Sequence, residues 1–312
     1  MKPVISIVVP RYGVERYIEQ CARSLFAQSY DALQFVFVND GTKDRSMEIL
    51  NGLIESEYSH LKDRIVIVDK KNGGLPAARR TGLEHVTGDY VYNVDPDDWI
   101  SEGSMEKIAS VAESTDADII YFHYVKEYEN RSSVKTEGFY TGADRASYVR
   151  NMYNHRAYGT LCNKCIKTSL FRDHQIFVPS YGHAEDCCIS VQVAGYSSRI
   201  ERLDEIIYHY RKNNPTSLTR NGLKRRKKEY AMNFLGLYSK YMGLPADENP
   251  IASIMDDIAI QVGWYSIFYG LGLFSKYDFL ASAIRKARMK TKTDVWLPAQ
   301  FLTKLLALIK TK

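Results

Sequence analysis

Residues 89–98 read Asp-Tyr-Val-Tyr-Asn-Val-Asp-Pro-Asp-Asp, a strand-like run that ends in three carboxylates, Asp95, Asp97 and Asp98. Like charges that close resist ionising together unless something positive sits between them. A hard divalent cation meets that need, and Mg²⁺ typically takes one or two carboxylates plus substrate phosphates. The cluster therefore points to a metal–diphosphate site at the carboxyl end of a strand, where ligands bind in open α/β sheets. The plain alternative is a solvated acidic turn, with Asp97 or Asp98 capping a helix.

Elements able to position such a site precede it. Residues 4–9, 33–38, 65–68 and 90–94 read as strands, uninterrupted and apolar as buried parallel strands are. Helical spacing lies between them, at 14–26, 46–54 and 76–85, and a further β/α stretch covers 102–124. Regular βαβ alternation implies an α/β fold with a mostly parallel central sheet and helices on both faces. The chain starts on Met1-Lys2-Pro3 and an apolar run that stops at Pro10, too short for a leader's apolar region and better read as a first strand.

The 312 residues are 45% hydrophobic and 25% charged, which fits one large folded domain or two smaller ones and excludes a disordered chain. Charge divides the chain. Residues 1–220 hold 27 Lys and Arg against 30 Asp and Glu; residues 221–312 hold 15 against 7. The basic excess sits in 224–228 and 285–292, and it points to an anionic partner of the last third. No nucleic-acid recognition pattern surrounds it, so a nucleic-acid partner is not expected. Residues 230–241 and 251–274 read as aromatic-rich helices, the second a buried or interfacial element rather than a span. Residues 295–309 suit either a helix lying in a bilayer interface or one docking on its own domain or on a second copy. The five cysteines (Cys21, Cys162, Cys165, Cys187, Cys188) read as free thiols; their spacing does not suit zinc.

Four segments, each following one of the four strands, share the carboxyl edge of the sheet. They are Pro10-Arg11-Tyr12-Gly13-Val14-Glu15, Asn39-Asp40-Gly41-Thr42-Lys43-Asp44, Asn72-Gly73-Gly74-Leu75-Pro76-Ala77-Ala78-Arg79-Arg80, and Asp95-Pro96-Asp97-Asp98-Trp99. In order and spacing this set resembles the family 2 glycosyltransferases, over about residues 3–220. The resemblance implies a GT-A fold and transfer of a sugar, with inversion, from a nucleotide-diphosphate-sugar, usually a UDP-sugar. It implies a donor site built from Pro10, Tyr12, Glu15, Asp40, Asn72, Gly73, Arg79, Asp95 and Arg211. Asp40 can accept from a base N–H, Tyr12 can lie against the base, and Arg79 offers a fork suited to phosphate. Asp97, Asp95 and His209 would hold Mn²⁺ or Mg²⁺, and both ions accept oxygen ligands.

Inversion needs a base opposite the leaving group. The family carries it in a Glu-Asp pair at the start of a downstream helix, which here is Glu185-Asp186. Asp186 is read as the base and Glu185 as its positioner or an acceptor contact, although carboxylates also cap helices simply. Trp99 could stack on an acceptor sugar.

The chain departs from the family pattern at Arg11, Gly13, Thr42, Lys43, Arg45, Pro76 and Arg80, which alters the base-binding rim and leaves the donor open. The expected organisation is a catalytic domain over 1–220 and a basic helical extension over 221–312. The expected protein is a cytoplasmic transferase acting on a glycan or lipid-linked glycan of surface polysaccharide assembly. Residues 285–312 would touch the inner face of the membrane, and a homodimer is allowed. The competing reading is a catalytically inactive nucleotide- or glycan-binding module of the same fold.

Overall fold

The structure, a computed structural model, describes residues 2–136, 144–214, 222–273, 276–277, 279–280 and 282. The expected interfacial helix at 295–309 and the basic run at 285–292 lie outside them.

The alternation read from the sequence holds through the first four strands. These are β1 (Ile5–Arg11), β2 (Leu33–Asn39), β3 (Ile65–Asp69) and β4 (Tyr90–Asn93), joined by α1 (Ile18–Phe26), α2 (Ser46–Ser56) and α3 (Leu75–Glu84). Strand β1 pairs in parallel with β2 on one side and with β4 on the other, and β2 pairs in parallel with β3. The chain therefore leaves β1 toward β3, then returns to the opposite side of β1 to make β4. That reversal opens a crevice between the carboxyl ends of β1 and β4, the place where open α/β sheets bind ligands.

Beyond β4 the sheet turns mixed. It continues through β5 (Trp99–Ile100), α4 (Ser104–Thr115), β6 (Ile119–Glu127), β7 (Ser132–Lys135) and α5 (Arg145–Tyr153). Then come β8 (Lys164–Lys167), α6 (Thr168–Asp173), α7 (Glu185–Tyr196) and β9 (Ile200–Arg211). The strand order is β3-β2-β1-β4-β8-β6-β9-β5, with β7 on β6; β8 runs antiparallel to both β4 and β6. Strand β8 is short and includes two lysines, which hid it from the apolar pattern.

The sheet buries both faces. Ile5, Ile7, Val9, Phe35 and Phe37 pack toward α1 and α2, while Val8, Val36 and Val38 pack with Ala78 of α3. Helix α8 (Leu223–Tyr241) starts one residue before the basic run and takes it in, seven residues ahead of the expected 230. Helix α9 (Met255–Tyr269) stops at Gly270, which takes a left-handed φ of 60° as a helix-ending glycine does. Phe234 of α8 meets Tyr153 of α5 edge-on at 5.1 Å, and Ile258 of α9 shares the same buried cluster. Among the described residues no helix is long and apolar enough to cross a membrane. All five cysteines are buried free thiols.

Candidate active site

The acidic end of β4 divides into a wall and a crevice. The Asp98 amide donates to the Asp95 carbonyl at 3.1 Å, closing a turn around Pro96. Asp98 turns inward, where it accepts from the Tyr208 hydroxyl at 2.6 Å and the Arg211 amide at 2.7 Å. Burial, then the charges of Asp97 and Asp95, push its carboxyl well above the usual range. Asp98 thus braces β9 against the turn, leaving Asp95 and Asp97, both half-buried, toward the crevice. Asp97 accepts from Asn214 at 2.7 Å.

Arg79 lies at the centre. Its helix, α3, starts after Gly74 with a proline in its first turn and presses closely on β1: a Cβ on Gly82 would stand 2.3 Å from Val8 Cγ1. That approach brings Arg79, whose side chain is 2% exposed, to the end of β4. Its Nη2 donates to Asp95 at 2.7 Å; its Nη1 donates to Glu185 at 3.0 Å and also to Asp186. One guanidinium so joins the end of β4 to the start of α7. Burial works against the Arg79 charge, but the Asp186, Asp95 and Glu185 carboxylates outweigh it and raise its pKa well above the ordinary value. Burial pushes Asp95 up to about 6, with Arg79 opposing and the Asp186 and Asp97 charges adding. Glu185 is raised well above the usual carboxylate range, first by burial and then by the Asp186 charge, against Arg79. The residue before this pair, Ala184, holds a left-handed φ of 64°, a strained conformation for an L residue that aims both carboxylates at Arg79.

On the other side of the crevice, Asp40 is a hub. It accepts from the Gly73 amide at 2.9 Å, the Gly74 amide at 2.8 Å and Lys70 Nζ at 2.6 Å, while the Asn72 amide group donates to the Asp40 carbonyl at 3.0 Å. A carboxylate has about four acceptor positions, so three are already engaged in holding the loop from Lys70 to Gly74. The base contact expected of Asp40 must share that carboxylate. Gly41 permits the knot: its φ is 67°, and a Cβ there would stand 3.0 Å from the Asn72 nitrogen. Tyr12, one residue past the end of β1, is 52% exposed, close to where Pro10 pairs with Val38. Glu15 accepts from the Arg45 amide at 3.1 Å, a brace to the start of α2.

Three expectations meet a different arrangement. His209 has both ring nitrogens engaged, Nδ1 with Glu127 at 2.8 Å and Nε2 with the Ser101 hydroxyl at 3.0 Å. It therefore has no nitrogen to offer a metal in this arrangement. Trp99 stacks on His209 at 5.0 Å and lies 4.8 Å from the Arg211 guanidinium, so protein groups already lie against its ring. Arg211 lies also 4.9 Å from the Tyr17 ring and donates to the Asp97 carbonyl at 2.9 Å, where it shapes the acidic turn. Arg11 turns away from the rim into the interior at 1% exposed, and its three guanidinium nitrogens have no partner among the described residues. Burial brings its pKa down to about 10 against the charges of Asp69 and Asp44. Sequence alone assigns no role of its own to Lys70, Tyr208 or Asn214. The signal available for Tyr208 and Asn214 is their place in the same short segment as His209 and Arg211.

The comparisons with known proteins meet this geometry. The family model for glycosyl transferase family 2 matches residues 6–175, more than half of the chain. The chain belongs to glycosyl transferase family 2. This family 2 transferase is 31% identical over 70% of its length to the uncharacterized glycosyltransferase EpsJ of Bacillus subtilis, of which the match covers 64%. It is 30% identical over 66% of its length to glycosyltransferase GlyA of Streptococcus pneumoniae, covering 30% of that protein. The match thus spans less than two thirds of these relatives. Among solved structures, TarS of Staphylococcus aureus in complex with UDP-GlcNAc superposes with a TM-score of 0.67 at 20% identity, over 87% of this chain and 75% of that one. Mannosyltransferase PcManGT of Pyrobaculum calidifontis, in complex with GDP-Man and Mn²⁺, superposes with a TM-score of 0.55 at 16% identity, over 100% and 81%. Both likenesses establish the GT-A fold.

Proposed function

We propose that this transferase moves a sugar, with inversion, from a nucleotide-diphosphate-sugar, most simply a UDP-sugar, to a glycan or lipid-linked glycan of a surface polysaccharide. The observation that carries the reading is the Arg79 cluster, which joins Asp95 at the donor end to Asp186 and Glu185 at the opposite end. In this reading Asp186 takes the acceptor hydroxyl proton. The acceptor oxygen bonds to the anomeric carbon as that carbon's bond to the diphosphate oxygen breaks. Arg79 holds Asp186 in place through an ion pair, and Glu185, raised by burial, shares the same guanidinium. A protein base aligned by a fixed partner follows the general logic of acid–base catalysis.

Asp97 and Asp95 would hold Mn²⁺ or Mg²⁺. Among the described residues no three His, Cys, Asp or Glu side chains form a ready cage. Mg²⁺ is usually held by one or two carboxylates with substrate phosphates completing its shell, a share that Asp97 and Asp95 can supply. When bound, the ion supplies Lewis-acid stabilisation of the charge on the departing diphosphate. The chain's own contribution is to keep both carboxylates on a rigid turn, braced through Asp98, Tyr208 and Arg211. The catalytic unit would lie in residues 1–220, with 221–312 as its extension and 285–312 as a peripheral contact at the inner face of the membrane.

The test is calorimetric binding of UDP, GDP, CDP and dTDP, with and without Mn²⁺, followed by donor hydrolysis and transfer assays. Metal-dependent binding of one nucleotide, lost in Asp97→Ala, is the expected result. Asp186→Asn should keep that binding and lose transfer by about two orders of magnitude or more. Undiminished transfer by Asp186→Asn would overturn the base assignment. Donor binding with no hydrolysis or transfer by the unaltered protein would favour the inactive module.

A further inference from the structure

Helix α8 opens with Lys224, Arg225, Arg226, Lys227 and Lys228, and its first turn contains no acidic residue. A helix macrodipole already places positive charge at that end, so cations gathered there oppose the helix. The arrangement is unfavourable for folding and calls for an anion. Arg225 finds one within the helix, donating to Glu229 at 2.7 Å. Lys227 is held by a neutral group: its Nζ donates to the Tyr265 hydroxyl at 2.9 Å and lies 4.7 Å from that ring's centre. An ammonium has three N–H donors, so this contact fixes Lys227 without neutralising it. Arg226 is half-buried with its Nε unpartnered, and among the described residues neither Arg226 nor Lys227 has a carboxylate within ion-pair distance.

This cluster is tied to the loop before the catalytic pair. Asn233 of α8 donates to the Tyr181 carbonyl at 2.8 Å and the His183 carbonyl at 2.9 Å. Burial, then the Arg226 charge, holds the His183 pKa down, with Glu229 opposing and Lys227 and His155 adding. His183 stands two residues before Glu185 and three before Asp186. Asn233 thus fixes the helix that carries Arg226 and Lys227 against the loop that leads into Glu185 and Asp186, and Lys227 is itself oriented by Tyr265.

Building on the transferase reading above, we propose that Arg226, Lys227 and His183 form a subsite for a phosphate group of the acceptor, so that the acceptor is a phosphodiester- or pyrophosphate-bearing chain rather than a neutral glycan. Arg and Lys both make strong charge-assisted hydrogen bonds to phosphate oxygens.

The experiment is calorimetry on the full chain with UDP and Mn²⁺ present, using three probes: a glycerol-phosphate oligomer, a short-chain prenyl pyrophosphate, and the same glycerol oligomer with its phosphates methylated to neutral triesters. One anionic probe should bind, and Arg226→Gln/Lys227→Gln should weaken it by about tenfold or more. Which anionic probe binds identifies the source of the phosphate. The proposal is overturned if neither anionic probe binds, if the neutral oligomer binds as tightly, or if the double variant binds unchanged. Phosphatidylglycerol vesicles form the last arm: loss of vesicle binding with both anionic probes retained would make the cluster a membrane contact and end the proposal. Should the double variant not fold, the charged-against-neutral comparison and its salt dependence in the unaltered protein decide alone. Hydrolysis of a UDP-sugar without anion binding sinks the subsite and spares the transferase reading. Anion binding with neither nucleotide binding nor hydrolysis does the reverse.

Discussion

Replacing Arg79 by methionine tests whether one guanidinium holds the two ends of the crevice together. The side chain is 2% exposed and donates to Asp95, Glu185 and Asp186. Methionine fills a similar volume, so little of the loss comes from packing. Removing one partner of a buried ionic cluster costs about 3–5 kcal/mol, because the charges left behind lose their counter-ion and Glu185 has little water to replace it. Three carboxylates share this one cation, which places Arg79→Met at the upper end, on the order of ten degrees in Tm. The sign of the pH dependence follows. Without Arg79, Asp95 and Glu185 rise further above their unfolded values, so they favour folding at acid pH and lose that contribution as pH rises through their folded pKa values. The deficit should therefore be largest near pH 7 and smaller near pH 5. Urea denaturation of both proteins at the two pH values measures it, and Arg79→Lys should fall between them because a point charge cannot replace a fork that reaches three groups. A variant within about 1 kcal/mol of the parent at pH 7 would refute the cluster, since it would equal an ordinary surface substitution.

Glu185→Gln should flatten the pH dependence of stability. The folded pKa of Glu185 is raised, so its contribution favours folding below the unfolded value and fades as pH rises through the folded one. Denaturation midpoints of the parent should thus decline more steeply toward neutral pH than those of the variant, and parallel curves would count against the assignment. Gly82→Ala should cost about 1–3 kcal/mol, as overpacking does, because its methyl would stand 2.3 Å from Val8. It should also lower transfer by moving α3 and with it Arg79; thermal melts and assays showing neither effect would mean that α3 sits less tightly on β1 than described.

The local pattern of the chain determined a good deal. Apolar runs ending at Pro10, Asp40, Asp69 and Asp95 were enough to place four parallel strands, because buried strands need continuous apolar residues and their carboxyl ends need polar ones. The order of the four loops was enough to indicate the family. Tertiary structure decided what each polar residue does. Asp98 and Asp95 look equivalent in sequence, yet β9 covers one with Tyr208 and leaves the other at the crevice. Arg79 reads as a phosphate fork until α7, more than one hundred positions away, brings Glu185 and Asp186 onto it. His209 looked free to bind a metal until Glu127 of β6 and Ser101, next to β5, took its two nitrogens. The basic run at the start of α8 pointed to an anionic partner without saying where; Asn233 ties its helix to the loop that carries His183. Spacing along a chain reports which side chains share a strand or helix face. The partner of a buried charge comes from wherever the sheet order brings another element alongside, and its desolvation, not its place in the sequence, sets what that charge can do.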